Sequence, residues 1–555
     1  MLSLRRLGVV CSLGLIGFVF STAPAAPREK WTDLNIGPFF VDTEGDTGAA
    51  REDLTQLEQL RWVLGGLLES KDLPSLWPVR VMLTQSAKTN PIGFVLQQGQ
   101  WLLVCPPESP LPMEQAARIL LDANTQRLPP EVESGLPKLF ATMQARGSHV
   151  TWGGPPPHPD VDWARMQLFA TKFEYSLSFH IFLTALRSGT DMRAAERNAF
   201  GKDPDSLEKE VAAYLASGNW QSQTISARPL DPKRDFGEHS LDDASADVYL
   251  ANFQLLNDDP STAEAAYKQA VAAGPPAAAL GYEGLAALAE HDKDNPKPFF
   301  DSAIKAGSRS APVYVGAADG LDAAQAIPLL KRAAMLNPLW AEPIFRQAEL
   351  TTDPTEKLSL LKKTTQLDPR GTQYWVELAQ FETTQGQSTV AQSSWVRAED
   401  SAATPAERER VHQLRVDSEQ ERLDAAEKAS RRERDATREA DEQAQKAEAD
   451  RIRAAEERAN SSKGAEPEQV VPWSAVVPQK HLTGTLVNVE CLGNNARLEV
   501  QDRQGSSLHL LLKNVSQSGL TCGPQKPSRS VSLSYSAQPD DRFRIDGSIT
   551  TLKVQ

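Results

Sequence analysis

The chain has 555 residues and a formal net charge of −14 at pH 7, with 40% hydrophobic, 24% charged and 7% aromatic residues. This length exceeds that of one hydrophobic core and predicts about three or four domains. The acidic balance disfavours nucleic acid and anionic lipid as partners, because both are bound through basic surfaces.

Residues 1–26 have the order of a secretory signal peptide. Arg5 and Arg6 precede an apolar run that ends at Phe20, and small residues follow up to Ala26. The alternative is a membrane anchor, but the apolar run is shorter than the roughly 20 residues that cross a bilayer. The sequence therefore predicts an exported protein, periplasmic or secreted, without a membrane span.

Residues 27–225 predict a mixed α/β domain. Apolar residues recur at helical spacing from Leu54 to Leu68, so one face of that helix is expected to be buried. Cys105 ends an apolar run and is expected to be a buried small hydrophobic residue. Strands are predicted at 79–83, 94–96 and 101–104, the last two as a hairpin. Further helices are predicted at 113–126, 131–145, 160–187 and 205–217.

Within this domain, residues 110–145 resemble the gluzincin metallopeptidases, in which an H-E-x-x-H helix precedes a helix like W-L-x-E-G-L-A. The second helix survives as the run L-P-P-E-V-E-S-G-L-P-K-L-F from Leu128. Met113 and Ala117 stand where the first motif has its two histidines, and Glu114 stands where it has its glutamate. Ser134 stands where the family has its third zinc ligand. Catalytic zinc needs three ligating side chains. The resemblance therefore implies a degenerate peptidase-like domain with no catalytic residue, metal or cofactor.

The alternative function is a residual zinc metallopeptidase of gluzincin type with atypical ligands. His149, His158 and His180 are the candidate ligands, with Glu114 as the general base. Their spacing matches no metal-site pattern, and three histidines at unrelated positions are more often solvent-facing or core residues. The sequence therefore favours a protein that is not an enzyme.

Residues 240–404 carry a repeated pattern of a small residue, a large residue four positions later and a small residue three positions after that. The large residues stand at 267, 300, 330, 361 and 395, so they recur every 30 to 34 residues. Proline follows the pattern at 275, 338 and 369, where a helix is expected to have ended. The clearest signature residues are Ala263, Tyr267, Ala270, Ala326, Leu330, Ala333, Ala391, Trp395 and Ala398.

This stretch resembles the tetratricopeptide repeat (TPR) family, whose 34-residue units are pairs of helices. Trp375 stands at the tryptophan position of the first helix in the fifth unit. A generic alanine-rich helical bundle is the alternative. The resemblance implies a solenoid whose groove binds a protein or peptide partner. Aromatic residues that could line the groove, or equally pack between helices, are Tyr249, Tyr282, Tyr314, Trp340, Tyr374 and Trp375.

Residues 405–463 consist almost entirely of charged residues, glutamine and alanine. Opposite charges recur at helical spacing, as in Glu427–Arg431 and Arg438–Glu442. The apolar positions are mainly alanine, so a strong coiled-coil seam is not evident. Three structures are considered for this segment: a lone charged helix, a weak coiled coil and disorder. Helix propensity favours the lone helix.

Residues 470–555 predict a small β domain. Five or six alternating or apolar segments are separated by turn residues, which indicates a barrel or sandwich of SH3-like or OB-like size. Cys491 and Cys522 lie in this segment and are expected to form a disulfide, since an exported protein folds in an oxidising compartment.

The predicted fold is therefore a multidomain α+β chain: peptidase-like α/β domain, all-α TPR solenoid, long charged helix and small β domain. This order resembles a set of exported proteins common in acidobacteria and similar soil bacteria. The predicted function is that of an exported, non-catalytic interaction or scaffold protein, with a partner peptide or helix held in the TPR groove.

Overall fold

The computed structural model describes residues 30–87, 93–461, 478–541 and 543–554. It divides into a unit up to Arg434 and a unit from Asp435. The predicted signal peptide, residues 1–26, and the end of the predicted charged segment, residues 462–463, lie outside the described residues. None of the helices in the described ranges combines the length and the apolar character that a membrane span requires.

The N-terminal part is built on a six-stranded mixed sheet and a small three-stranded sheet. The strands are β1 (Trp31–Ile36), β2 (Phe39–Glu44), β3 (Val79–Leu83), β4 (Val95–Gln97), β5 (Gln100–Cys105), β6 (Gln144–Arg146), β7 (His149–Trp152), β8 (Gln223–Ser226) and β9 (Gly237–Leu241). The large sheet has the order β4-β5-β3-β2-β1-β9, and its β2-β3-β5 portion is parallel. The small sheet has the order β6-β7-β8.

Nine helices accompany these strands in the described residues up to Asp235. They are α1 (Thr47–Leu67), α2 (Met113–Asn124), α3 (Pro130–Lys138), α4 (Val161–Thr171), α5 (Phe173–Ser176), α6 (Phe179–Arg187), α7 (Met192–Phe200), α8 (Pro204–Ser217) and α9 (Pro232–Asp235). Helix α1 starts at Asp46, whose side chain accepts a hydrogen bond from the Gly48 amide. Its predicted apolar face is buried: Leu54, Leu57 and Leu60 lie in one core with the strands and with α2.

Two predicted helices end or break earlier than the sequence pattern indicates. The helix predicted at 131–145 ends at Lys138, because residues 144–146 pair with β7 as a strand. The helix predicted at 160–187 is divided into α4, α5 and α6. The break at Lys172, which has extended backbone, places the Tyr175 ring in an aromatic cluster with Phe169 and Phe200. Tertiary packing of aromatic side chains thus overrides helix propensity here.

Ten further helices form five consecutive pairs. They are α10 (Asp243–Leu256), α11 (Pro260–Ala273), α12 (Ala277–His291), α13 (Lys297–Lys305), α14 (Ala311–Ala318), α15 (Ala323–Leu336), α16 (Glu342–Leu350), α17 (Pro354–Leu367), α18 (Thr372–Thr384) and α19 (Ser388–Ser401). Each helix packs against the next one along the chain. Three of the second helices begin after an aspartate cap, at Asp259, Asp322 and Asp353.

The signature residues lie on the second helix of each pair, where the TPR-like pattern places them. Tyr267, Leu330 and Trp395 are buried, and so are the small residues on either side of them. Helices α11, α15 and α17 each end two positions before the proline that the sequence analysis singled out. The middle of the chain is therefore a TPR-like array of five helix pairs.

The array and the N-terminal part share a core within the first unit. Helix α10 covers the face of the large sheet opposite α1, where Trp31, Met82 and Leu102 pack against Ala246. The N-terminal sheet also extends beyond residue 225, the expected end of its domain, because β9 pairs with β1. The first helix of the repeat array thus also serves as the outer layer of the N-terminal sheet.

Helix α20 (Pro405–Ser461) follows the array. Val411 is its buried residue and packs with Trp395 and Ala398 of α19. The predicted charge ladder is present in part: Arg431 pairs with Glu427 at 2.5 Å, and Arg438 pairs with Glu442 at 3.9 Å. Such exposed pairs each add only a few tenths of a kcal/mol to helix stability, so it is their number that favours the helix.

The C-terminal strands close into a five-stranded barrel. They are β10 (Gln479–Leu492), β11 (Asn495–Asp502), β12 (Ser507–Leu512), β13 (Gly523–Ser536) and β14 (Gly547–Val554). The order is β10-β11-β12-β14-β13, with β12 and β14 parallel and β13 returning to β10. A closed sheet leaves no unpaired edge, and of the two predicted architectures the barrel is the one observed. Cys491 and Cys522 form the expected disulfide.

Candidate functional site

A groove of about 630 Å³ opens along the first helices of the array. We call it the acidic groove, defined by the lining residues Asp258, Glu283, Glu290, His291 and Asp319. Its apolar floor includes Leu255, Ala287, Phe300 and Val315.

Close packing of the helices forms this floor. A Cβ atom at Gly316 would lie 2.4 Å from the Phe300 ring, and one at Gly284 would lie 2.2 Å from the Tyr267 ring. Only glycine allows the aromatic ring of one pair to lie directly against the next helix. The floor is therefore a set of helix surfaces in direct contact.

Glu283 is the most buried acid of the groove. Its Oε1 accepts a hydrogen bond from Ser308 Oγ at 2.6 Å, and burial raises its pKa to about 7. The pKa of Glu290 is raised by burial and by the charge of Asp319. A buried carboxylate is costly without a cation, so Glu283 favours a positively charged ligand, and the exposed Glu290 adds a second negative charge on the same helix.

His291 lies at the mouth of the groove between two acids. Its Nδ1 is 2.9 Å from Asp292 Oδ1, and its Nε2 is 3.7 Å from Asp258 Oδ1. The hydrogen bond to Asp292 and the charges of both aspartates raise the pKa of this histidine. The raised pKa favours the positively charged form of His291. The three acidic residues around it, Asp258, Asp292 and Glu290, carry more negative charge than this one positive charge balances.

One wall of the groove comes from the N-terminal part, which the sequence analysis did not predict. The turn between β4 and β5 reaches the array: Gln98 Nε2 donates to the Glu283 carbonyl at 2.8 Å, and Asn252 Nδ2 donates to Gln98 Oε1 at 3.3 Å. Gly99 has a φ of +73°, and a Cβ there would lie 2.8 Å from Pro312. The hairpin was predicted, but its contact partner Glu283 lies 185 positions away in sequence.

Other contacts hold the N-terminal part against the edge of the array. Trp77 packs edge-on against Trp340 with ring centroids 4.9 Å apart. Arg370, which is buried, pairs with Asp122 of α2 at 2.9 Å and with Glu133 of α3 at 2.6 Å. Helices α2 and α3 are thus joined to the array where its fourth and fifth pairs meet.

The aromatic residues proposed as groove lining have different positions. Trp340 lines the acidic groove. Tyr314 is buried and donates to the Ser308 carbonyl at 3.1 Å. Tyr374 is buried against Phe345 and donates to Glu342 at 2.9 Å. Trp375 is partly buried and donates to the Pro369 carbonyl at 3.1 Å, whereas Tyr249 faces Arg80 and Tyr282 packs between helix pairs. Most of these aromatic residues therefore belong to the core.

The acids Glu283 and Glu290 were missed by the sequence analysis. They stand seven positions apart on an alanine-rich helix, so they lie on one face. That spacing was the available signal. It does not by itself separate a binding face from a solvated one, because the wall that buries Glu283 comes from Gln98.

The residues that the sequence analysis compared with the metallopeptidase motif lie in α2, which contains Met113, Glu114 and Ala117, and in the middle of α3, which contains Ser134. Met113 is buried and lines a cavity of about 490 Å³, and Ala117 is buried in the core. Glu114 is half-buried. Ser134 Oγ accepts a hydrogen bond from Lys138 Nζ at 2.9 Å.

The histidines of the alternative hypothesis are exposed and lie on different elements. His149 is in β7, His158 in a loop and His180 in α6. Within residues 30–87, 93–461, 478–541 and 543–554, no three His, Cys, Asp or Glu side chains are placed to hold a metal ion. Cys105 is buried as expected, and burial raises the pKa of its thiol to about 12.

Comparisons with known proteins find no matching family model and no matching curated protein. Among solved structures, the chain is similar to YrrB, described as a TPR protein with an unusual peptide-binding site: 20% identity over 31% of this chain and 92% of YrrB, TM-score 0.26. It is also similar to MamA, with 15% identity over 28% of this chain and 91% of MamA and a TM-score of 0.25. A third similar structure is yeast Tom70, with 17% identity over 47% of this chain and 58% of Tom70 and a TM-score of 0.27. The description of the array as TPR-like rests on the five helix pairs of this chain itself.

Proposed function

We propose that this protein is an exported, non-catalytic interaction protein that binds a basic segment of a partner protein in the acidic groove. The observation that carries the proposal is the pair Glu283 and Glu290 in one open groove: Glu283 is buried, and Glu290 is exposed on the same helix. Export is supported by the order of residues 1–26. The absence of zinc-ligating side chains at Met113, Ala117 and Ser134 supports a non-catalytic role.

The charged and apolar lining of the groove indicates which side chains the partner segment carries. A lysine or arginine side chain would give the two carboxylates a counter-charge, while apolar side chains next to it would cover Phe300 and Val315. The cavity has room for only a few side chains, so an extended segment with one or two basic residues fits better than a folded surface.

Charge reversal at Glu290 is expected to weaken binding of a basic peptide at least tenfold, which is about 1.4 kcal/mol. The probe is a fluorescein-labelled ten-residue peptide of alternating lysine and leucine, and fluorescence anisotropy measures its Kd for the protein and for Glu290→Lys. The loss follows because a cation then meets a cation in the groove.

The matched control is Glu264→Lys, at an exposed position of α11 outside the groove that pairs with Lys268. It is expected to change Kd less than twofold. A glutamate–leucine peptide tests the sign of the charge preference. Equal binding of both peptides, or equal effects of the two substitutions, would show that the groove is not the site.

Binding of the lysine–leucine peptide is expected to tighten severalfold between pH 6 and pH 8. Glu283 has a pKa of about 7, so it loses its proton over this interval and gains the charge that attracts lysine. His291 loses positive charge in the same direction, so both groups favour binding at high pH. Titrations of Glu283→Gln and His291→Gln separate the two: the first should remove most of the pH dependence. An unchanged profile in Glu283→Gln would contradict this assignment.

A further inference from the structure

The helix stacking of the array continues from the last helix pair to α20. In the first two junctions, the aromatic residue of the second helix lies against a glycine 16 or 17 residues later: Tyr267 against Gly284, and Phe300 against Gly316. The equivalent position after Trp395 is Val411 of α20. Val411 and Trp395 lie in one buried cluster, so α20 follows the last pair in the position of a further first helix.

Helix α20 contacts α19 near its own start. Val411 packs on Trp395, and Arg415 Nε donates to Glu399 Oε1 at 2.8 Å. Further along, α20 and the N-terminal half of α19 border an open groove of about 460 Å³, which we call the end groove. The lining residues used below are Trp395, Gln392, Val416, Glu419, Arg422 and Leu423.

The end groove has a mixed lining: apolar side chains at Trp395, Val416 and Leu423 lie among polar ones, and the charged side chain of Arg415 is paired with Glu399. The side chains of Val416 and Leu423 are 47% and 48% exposed, although both face the groove floor at Trp395. Glu419 and Arg422 are paired with each other at 2.6 Å. A ligand that fits is therefore apolar on one side and does not depend on a charged anchor.

The alternation of first and second helices in the array indicates which secondary structure that ligand has. Every first helix of the array is followed by a second helix that packs against it. Helix α20 stands in the position of a sixth first helix, and within residues 30–87 and 93–434 of the first unit no further helix follows to complete the pair. Val416 and Leu423 of α20 therefore remain exposed at the groove, with no second helix over them in that part of the chain.

We propose that the end groove binds an amphipathic helix of a partner protein, which packs as the second helix of a sixth pair. The partner helix presents a large apolar residue between two small ones, at the spacing of Ala263, Tyr267 and Ala270, because this stripe is what the second helices of the array present to their neighbours. This surface is separate from the acidic groove and takes an apolar rather than a basic ligand.

The probe is a fluorescein-labelled, hydrocarbon-stapled peptide with the sequence of Pro260–Ala273, stapled on the side opposite the three stripe residues so that it is already helical. Anisotropy is measured with the full-length protein. Saturable binding is expected, and replacement of the tyrosine in the peptide by alanine is expected to weaken it at least tenfold. Absence of saturable binding would overturn the proposal.

Two variants of the protein locate the binding surface. Leu423→Glu places a charge in the end groove and is expected to weaken binding at least tenfold, whereas Val390→Glu, at a 46% exposed position of α19 outside the groove lining, is expected to leave it unchanged. Both positions are exposed on helices, so circular dichroism should show unchanged helix content. Equal effects of the two substitutions would overturn the proposal.

The acidic-groove variant Glu290→Lys separates this proposal from the proposed function. It is expected to bind the stapled peptide with unchanged affinity. Loss of stapled-peptide binding in Glu290→Lys but not in Leu423→Glu would place the peptide in the acidic groove and overturn the end-groove assignment.

Discussion

Replacement of Arg80 by methionine is expected to lower the free energy of unfolding of the first unit by about 3–5 kcal/mol. Arg80 is buried between the N-terminal sheet and α10, where it donates to Asp42 and, at 3.1 Å, to Asp33. Its guanidinium also lies 4.4 Å from the Tyr249 ring centroid. Methionine keeps the length of the stem but leaves the fully buried Asp42 carboxylate without its cation.

Urea denaturation followed by tryptophan fluorescence measures this loss, since Trp31 lies in the same cluster. The matched control is Arg193→Met, which breaks the exposed pair with Asp205 and is expected to leave the midpoint unchanged. Adding Asp42→Asn to Arg80→Met should recover part of the loss, because a neutral amide costs less to bury than a carboxylate. Similar midpoints for Arg80→Met and Arg193→Met would show that the buried pair of Arg80 and Asp42 contributes little to the stability of the first unit.

Removal of the Cys491–Cys522 disulfide is expected to destabilise the barrel by about 3–4 kcal/mol, the chain-entropy value for a closed loop of this length. The two cysteines are 31 positions apart, and the bond joins the end of β10 to the turn before β13. A small barrel has little stability to spare, so the double variant Cys491→Ala/Cys522→Ala should open far more often than the parent protein.

Hydrogen exchange measured by mass spectrometry reports on the barrel separately from the first unit. Peptides from β11 and β12 should exchange faster in the double variant, while peptides from α1 and α12 should not change. Treatment with a reducing agent should accelerate exchange in the parent barrel and have no effect on the variant. Unchanged exchange in β11 would mean that the core around Leu498 and Val500 holds the barrel without the covalent link.

The contact between the N-terminal part and the array helps to form the acidic groove. Gln98 closes one side of the groove, and Arg370 fastens α2 and α3 to the array. We infer that the N-terminal part has a structural role in shaping this binding surface. Variants that loosen this contact should therefore alter peptide binding as well as stability.

The sequence by itself determined the local structure of the repeats and of the barrel. The small–large–small spacing around Tyr267, Leu330 and Trp395 places the three residues of each pattern on one helix face. A repeat unit is stabilised when that face is buried against the neighbouring helices. Alternating segments with turn residues determined the strands of the barrel, and the two cysteines of that segment determined its disulfide.

Only the tertiary structure decided where the candidate site lies. Glu283 is enclosed by Gln98, and Arg80 is covered by Tyr249, although each pair is far apart in sequence. Side-chain periodicity records which face of a helix or strand is buried, but it does not record which distant segment covers that face. For the same reason, α4, α5 and α6 appeared as one helix in the sequence pattern: the aromatic cluster that divides them includes Phe200, from beyond the predicted helix.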